Sequence, residues 1–140
     1  MQNGFQARVW IVIERAEDVP GEWVAHCLDF DVVMQGRDPR HALEMAKESV
    51  EMIVVDDLAA GHDPRRRRAP EEYWLRLSNI LDRAEKLSAL PEGAAEPAAY
   101  VVEIFFFAVR IDATQLGRAP LAPPAPYVEA VYALPEQRAA

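Results

Sequence analysis

The stretch Trp23-Val24-Ala25-His26-Cys27-Leu28-Asp29-Phe30-Asp31-Val32-Val33-Met34-Gln35-Gly36, continuing as Arg37-Asp38-Pro39-Arg40-His41-Ala42-Leu43-Glu44, decides the fold. Trp23, Ala25 and Cys27 share one face of a period-two pattern, with Val24, His26 and Leu28 opposite, as in a strand. Asp29-Phe30-Asp31 breaks it, Val32 to Gln35 resumes extended character, and Gly36 permits a sharp change of direction. A helix then starts at Asp38-Pro39: the aspartate can accept from a free first-turn amide, and proline sits where no amide donor is needed.

Upstream, residues 7–15 place Val9, Ile11 and Ile13 on one face and Arg8, Trp10, Val12 and Glu14 on the other, a first strand. The polar run Ala16–Glu22 carries Pro20-Gly21, a turn dipeptide, so the first two strands form a hairpin. Downstream, Leu43, Ala46, Val50 and Ile53/Val54 recur at helical spacing and make an apolar stripe that Gly61 can end. Residues 62–70 hold four consecutive arginines, Arg65–Arg68, between prolines, and are expected as an exposed linker.

A second helix is expected over 71–89. Glu71 and Glu72 suit its positive end, and Trp74, Leu77, Leu81, Ala84 and Leu87, with Ile80 beside them, form its stripe. Residues 100–111 are the most strand-like segment, and both faces are apolar, which requires cover on both sides by helices or by a second subunit. The tail is rich in proline and expected to be extended, with 127–134 as a late edge strand.

The chain has 140 residues, 51% of them hydrophobic, enough for one core. A net charge of −8 disfavours non-specific adhesion to nucleic acid or anionic membrane. No apolar run reaches the ~18 residues a membrane span requires, and Met1-Gln2-Asn3-Gly4 lacks signal-peptide character, so a cytoplasmic location is expected. Cys27 is the single cysteine and supports neither an internal disulfide nor a multi-cysteine metal cage.

Strand, turn, Trp23-Val24-Ala25-His26-Cys27-Leu28-Asp29, Val33-Met34-Gln35-Gly36, the Ala42-Leu43-Glu44 helix start and Glu48-Ser49-Val50-Glu51 together resemble the HicB-like antitoxin family over about residues 7–60. That family's pattern runs approximately aromatic-Val-Ala-x-Cys-Pro-Asp/Glu-Leu, a small-polar-Gly-Asp-Thr turn, and a helix with Glu-Ala-Leu and Glu-Ala-Val pieces. Leu28 stands where the family usually has proline, and Asp38-Pro39, offset by Arg37, replaces its aspartate and threonine. The resemblance implies an α+β fold: a degenerate ribonuclease H-like β-β-β-α-(α)-β arrangement with a small antiparallel or mixed sheet and helices packed on it. Residues 1–112 would form this domain, with a helical insertion at about 62–98 and 100–111 as its final strand, and 113–140 would be the extended tail. It also implies a non-catalytic inhibitor that occludes a small basic ribonuclease toxin. No helix-turn-helix or ribbon-helix-helix module is recognisable in residues 62–140, so the sequence offers no module for DNA binding.

Some individual residues invite a chemical reading. Glu14, Asp29 and Asp31 could hold a divalent metal, but turn aspartates ordinarily bond their own backbone, and no further strand-end carboxylate joins them. His26 and Cys27 are adjacent in a strand and point to opposite faces, so they cannot share an ion. Cys27 lies among apolar neighbours, unlike a reactive thiol. Arg65–Arg68 could touch phosphates, though the run stands alone on an acidic chain. No catalytic, cofactor-binding or metal residue is assigned. The candidate protein interface is Trp10, Phe105, Phe107 and Val109, whose aromatic area suits a homodimer or higher homo-oligomer. Two functions follow: the antitoxin-type interaction module, or an orphan homo-oligomeric structural module without a toxin.

Overall fold

A computed structural model describes residues 5–90, 99–108 and 129–134. Among these residues six strands and two α-helices occur in the order β1 (Phe5–Arg15), β2 (Trp23–Cys27), β3 (Val32–Gly36), α1 (Pro39–Ala59), α2 (Glu71–Arg83), β4 (Glu85–Leu87), β5 (Ala99–Ala108) and β6 (Glu129–Leu134). They build one sheet of order β3-β2-β1-β5-β6-β4 in which every neighbouring pair is antiparallel. The fold is α+β.

The alternation in β1 and β2 sorts side chains to two faces. Val9, Ile11, Ile13, Trp23, Ala25 and Cys27 join Leu43, Ala46, Val50 and Val54 of α1 in the larger core. On the opposite face, Val12 and Leu28 pack with Leu77 and Ile80 of α2 in a smaller core, flanked by Trp10 and Trp74. β5 serves both: Tyr100, Val102 and Ile104 belong to the first core, Val101 to the second. Its cover on these two faces thus comes from elements of the same chain.

The β1–β2 turn closes through Ala16 N–H to Glu22 C=O, with Gly21 at φ 82°. At Gly36 the requirement is space rather than positive φ: a Cβ there would lie 2.7 Å from Ala42 Cα and 2.8 Å from His41 C, backbone atoms that cannot rotate aside. Asp38 caps α1, its Oδ1 accepting from His41 N–H at 2.8 Å, while Arg37 N–H donates to His41 Nδ1. At the other end Gly61, at φ 78°, lets Gly61 N–H reach Leu58 C=O and His62 N–H reach Asp57 C=O, a Schellman closure.

Three expectations are corrected. The second helix ends at Arg83 rather than near 89, because Ala84 is extended and Glu85–Leu87 pairs with Ala133–Val131 of β6. Ala84 and Leu87 therefore leave the helical stripe. Residues 129–134 form a strand, but not an edge one: β6 lies between β5 and β4, so the strand expected to be last at 100–111 is followed by another, and the sheet includes part of the segment expected to be tail. Residues 64–67 form a short 3-10 turn rather than a simple linker; its arginines are exposed, but Pro64 and Ala69 on either side of the run are buried and anchor it.

Candidate functional site

The outer face of β1–β2–β3 continues beyond the edge of α2 as a groove of about 960 Å³. Its floor is built by the outward positions of the strands: Val12 of β1, Val24 of β2, Leu28 just after β2, and Val33 of β3. Val33 is 55% exposed. Pro70 and Tyr73, at the start of α2, form one wall. The helix has no side-chain cap; Pro70 sets its start, and Glu71 and Glu72 occupy the first turn, where carboxylates favour the positive helix end.

Charge is arranged around this apolar floor. Among the described residues, Glu14, Glu17, Asp18, Asp31 and Glu72 line the groove against only Arg15 and Arg76. Both Arg76 Nη atoms donate to the Glu14 carboxylate, and that carboxylate holds the guanidinium pKa above its ordinary value. Arg76 and Glu14 thus neutralise each other, and Glu17, Asp18, Asp31 and Glu72 outnumber Arg15 on the rest of the rim. Glu17 and Asp18 sit on the β1–β2 turn and Asp31 at the β2–β3 turn, so carboxylates mark both ends of the strands.

His26 projects into the groove from β2. Its Nε2 lies 2.7 Å from Asp31 Oδ1, and its ring meets Tyr73 edge-on at 4.9 Å between centroids. Asp31 reaches it from a left-handed backbone at φ 53°, a conformation aspartate tolerates better than most residues. The histidine–aspartate pair has the outline of an acid–base arrangement, with the Tyr73 ring beside it. A phosphodiester entering here would meet a predominantly carboxylate rim.

Cys27, next to His26, is fully buried on the opposite face, and burial pushes its thiol up to about 12. Asp29 is engaged elsewhere: its Oδ1 accepts from Trp10 N–H at 2.6 Å while Leu28 N–H donates to Trp10 C=O, locking the turn onto β1. Burial raises the Asp29 carboxyl to about 6. Glu14, Asp29 and Asp31 accordingly serve three separate partners, and no group of three potential metal ligands occurs among the described residues.

The arginine run is absorbed by carboxylates. Arg67 donates to Asp57 from Nε at 2.6 Å and Nη2 at 2.9 Å, and Arg66 reaches the same carboxylate at 3.4 Å. Arg65 pairs with Asp63, and Arg68 pairs with Glu71 while stacking 4.3 Å over Trp74.

Of the interface residues expected from sequence, Trp10 is half-buried beside α2 and Phe105 is half-buried on β5, in register with Arg8. Phe107 lies in β5 opposite Gln6, and Val109 falls outside the described residues. The groove residues Val24, Val33 and Tyr73 are not among those the sequence singles out. The outward alternation of Val24 and Val33 is visible there, but which part of the face α2 leaves bare is not. Among the described residues no helix is long and apolar enough to cross a membrane. No family model, no curated protein and no solved structure matches this chain.

Proposed function

We propose that this chain is a non-catalytic protein-interaction module of the HicB-like antitoxin kind, which restrains a small basic ribonuclease by occluding its active surface. The observation that carries this reading is the groove on the outer face of β1–β3, whose rim is rich in carboxylates and whose floor leaves Val24 and Val33 open. Val24 and Val33 leave the outer edge of the floor open to an apolar contact, and burying them releases water. A negative rim favours a basic partner, through steering and through rejection of acidic competitors. The order of Trp23–Cys27, the Asp29–Asp31 turn, Gly36 and the helix from Pro39 supports the antitoxin comparison.

The test is light scattering after size-exclusion chromatography, with the protein alone and with the product of the adjacent reading frame, followed by an RNA-cleavage assay of that product. A stoichiometric complex with cleavage suppressed is expected. A stable homo-oligomer that leaves the neighbour free, or hydrolysis of RNA by this protein with Mg²⁺, would overturn the reading.

A further inference from the structure

Six strands spaced about 4.8 Å apart make a sheet roughly 24 Å wide, whereas one helix covers about 10 Å of it. On the outer face α2 packs on β5 and β6 and, through Leu77 and Ile80, on Val12 of β1 and on Leu28, and it reaches further across β1 and β2 through Arg76–Glu14 and Tyr73–His26. The width left open, over β2 and β3, is about two strand spacings, which is the width of one more helix. The groove's long axis follows strands of five residues, β2 and β3, or about 17 Å, which matches roughly eleven residues of helix.

We infer that this slot receives an amphipathic helix with basic flanks, supplied by a partner protein, which lies beside α2 and completes the outer layer of the sheet. The inference rests on the interaction-module reading and names its surface and its occupant. The helix's apolar stripe would meet Val24, Val33 and Tyr73, of which Val33 and Tyr73 are among the large apolar side chains most exposed in the described residues. Its lysines or arginines would meet Glu17 and Asp18 at one end of the strands, Asp31 at the other, and Glu72 on the helical wall. A second copy of this chain is the poorer occupant. The chain carries −8 overall, and the exposed positions of α1 include Glu44, Glu51 and Asp56, so its own helix would set carboxylate against carboxylate.

The experiment uses the full chain and a fluorescein-labelled 14-residue peptide with leucines at helical spacing flanked by lysines. A scrambled peptide of the same composition and a version with glutamate for lysine serve as comparators. Fluorescence anisotropy should show the ordered basic peptide binding at least tenfold tighter than either comparator, with affinity falling as salt rises. The double variant E17K/E72K should weaken it about tenfold and flatten the salt dependence, Tyr73→Ala should weaken it several-fold, and Met52→Asp on the far helix should leave it unchanged. Thermal melts that match wild type would show each variant folded. Equal binding of ordered and scrambled peptides, indifference to the groove variants, or self-association that those variants abolish would each overturn the inference. Capture of the neighbouring toxin by E17K/E72K as well as by wild type would remove the groove assignment while the interaction reading stands. Groove-dependent peptide binding by a protein that captures no toxin would do the reverse.

Discussion

Arg67 closes a two-pronged hydrogen bond onto Asp57, ten residues back, where α1 ends: Nε to Oδ2 at 2.6 Å and Nη2 to Oδ1 at 2.9 Å. Asp57 is 4% exposed and is the one buried charged residue among those described. The pair fastens the 3-10 turn to the helix and sets the direction from which α2 begins.

Removing Arg67 leaves a buried carboxylate with only the longer contact to Arg66, so Arg67→Ala should destabilise the fold more than Arg66→Ala. The Arg67 hydrogen bonds, chiefly, hold the Asp57 carboxyl below its ordinary 3.8. A depressed folded pKa contributes stability that is complete above the unfolded value and is lost as pH falls through the folded one. Urea unfolding should therefore show a gap between wild type and Arg67→Ala that is constant from pH 7 to 5 and closes below about pH 4.

Asp29 carries the opposite sign. Burial raises its carboxyl from 3.8 to about 6, against the Trp10 amide and Arg68, which pull it down. The folded state thus holds the proton more tightly, and stability declines as pH rises from about 4 to 6, then levels off. The linked change is at most about 3 kcal/mol. Asp29→Asn keeps an acceptor for Trp10 N–H and removes the titration, so urea midpoints of variant and wild type should converge at pH 4 and diverge, variant higher, by pH 7. A carbon-detected titration placing Asp29 at 4 would refute this.

Gly36→Ala drives a methyl into the backbone of His41 and Ala42. The cost should be about 2–3 kcal/mol, as for overpacking against atoms that cannot repack. Gly21→Ala offers a contrast, because the space around it is open and only its φ of 82° resists, for about 1 kcal/mol. Paired chemical denaturation should rank Gly36 well above Gly21.

The Tyr100 hydroxyl is buried and has no hydrogen-bond partner among the described residues. Its ring packs against Trp23 at 6.2 Å, so the aromatic surface rather than the oxygen supports the core. Tyr100→Phe should leave stability unchanged or raise it by about 1 kcal/mol, whereas Tyr100→Ala should cost about 3–5 kcal/mol. Equal losses in the two variants would point to a hidden partner for the hydroxyl.

Period-two alternation in residues 7–15 and 23–27, the Asp38–Pro39 start and the Gly61 stop are all legible in the chain, because each rests on contacts a few residues apart. Local patterns mislead where distant segments compete with them. Residues 84–89 carry a helical pattern, yet pairing with β6, more than forty positions later, draws Glu85–Leu87 into the sheet. The arginine run reads as a solvated linker, and its arginines do stay exposed, but the buried Asp57 ten residues earlier fixes Arg67.

The sequence by itself determined the first hairpin, the helix after Gly36 and the opposed faces of His26 and Cys27, since these follow from side-chain period and backbone stereochemistry. Only the tertiary structure decided the strand order, the place of β6 inside the sheet, and the groove. Where α2 comes to rest determines which part of an apolar face stays open, and that depends on packing between elements far apart in the chain.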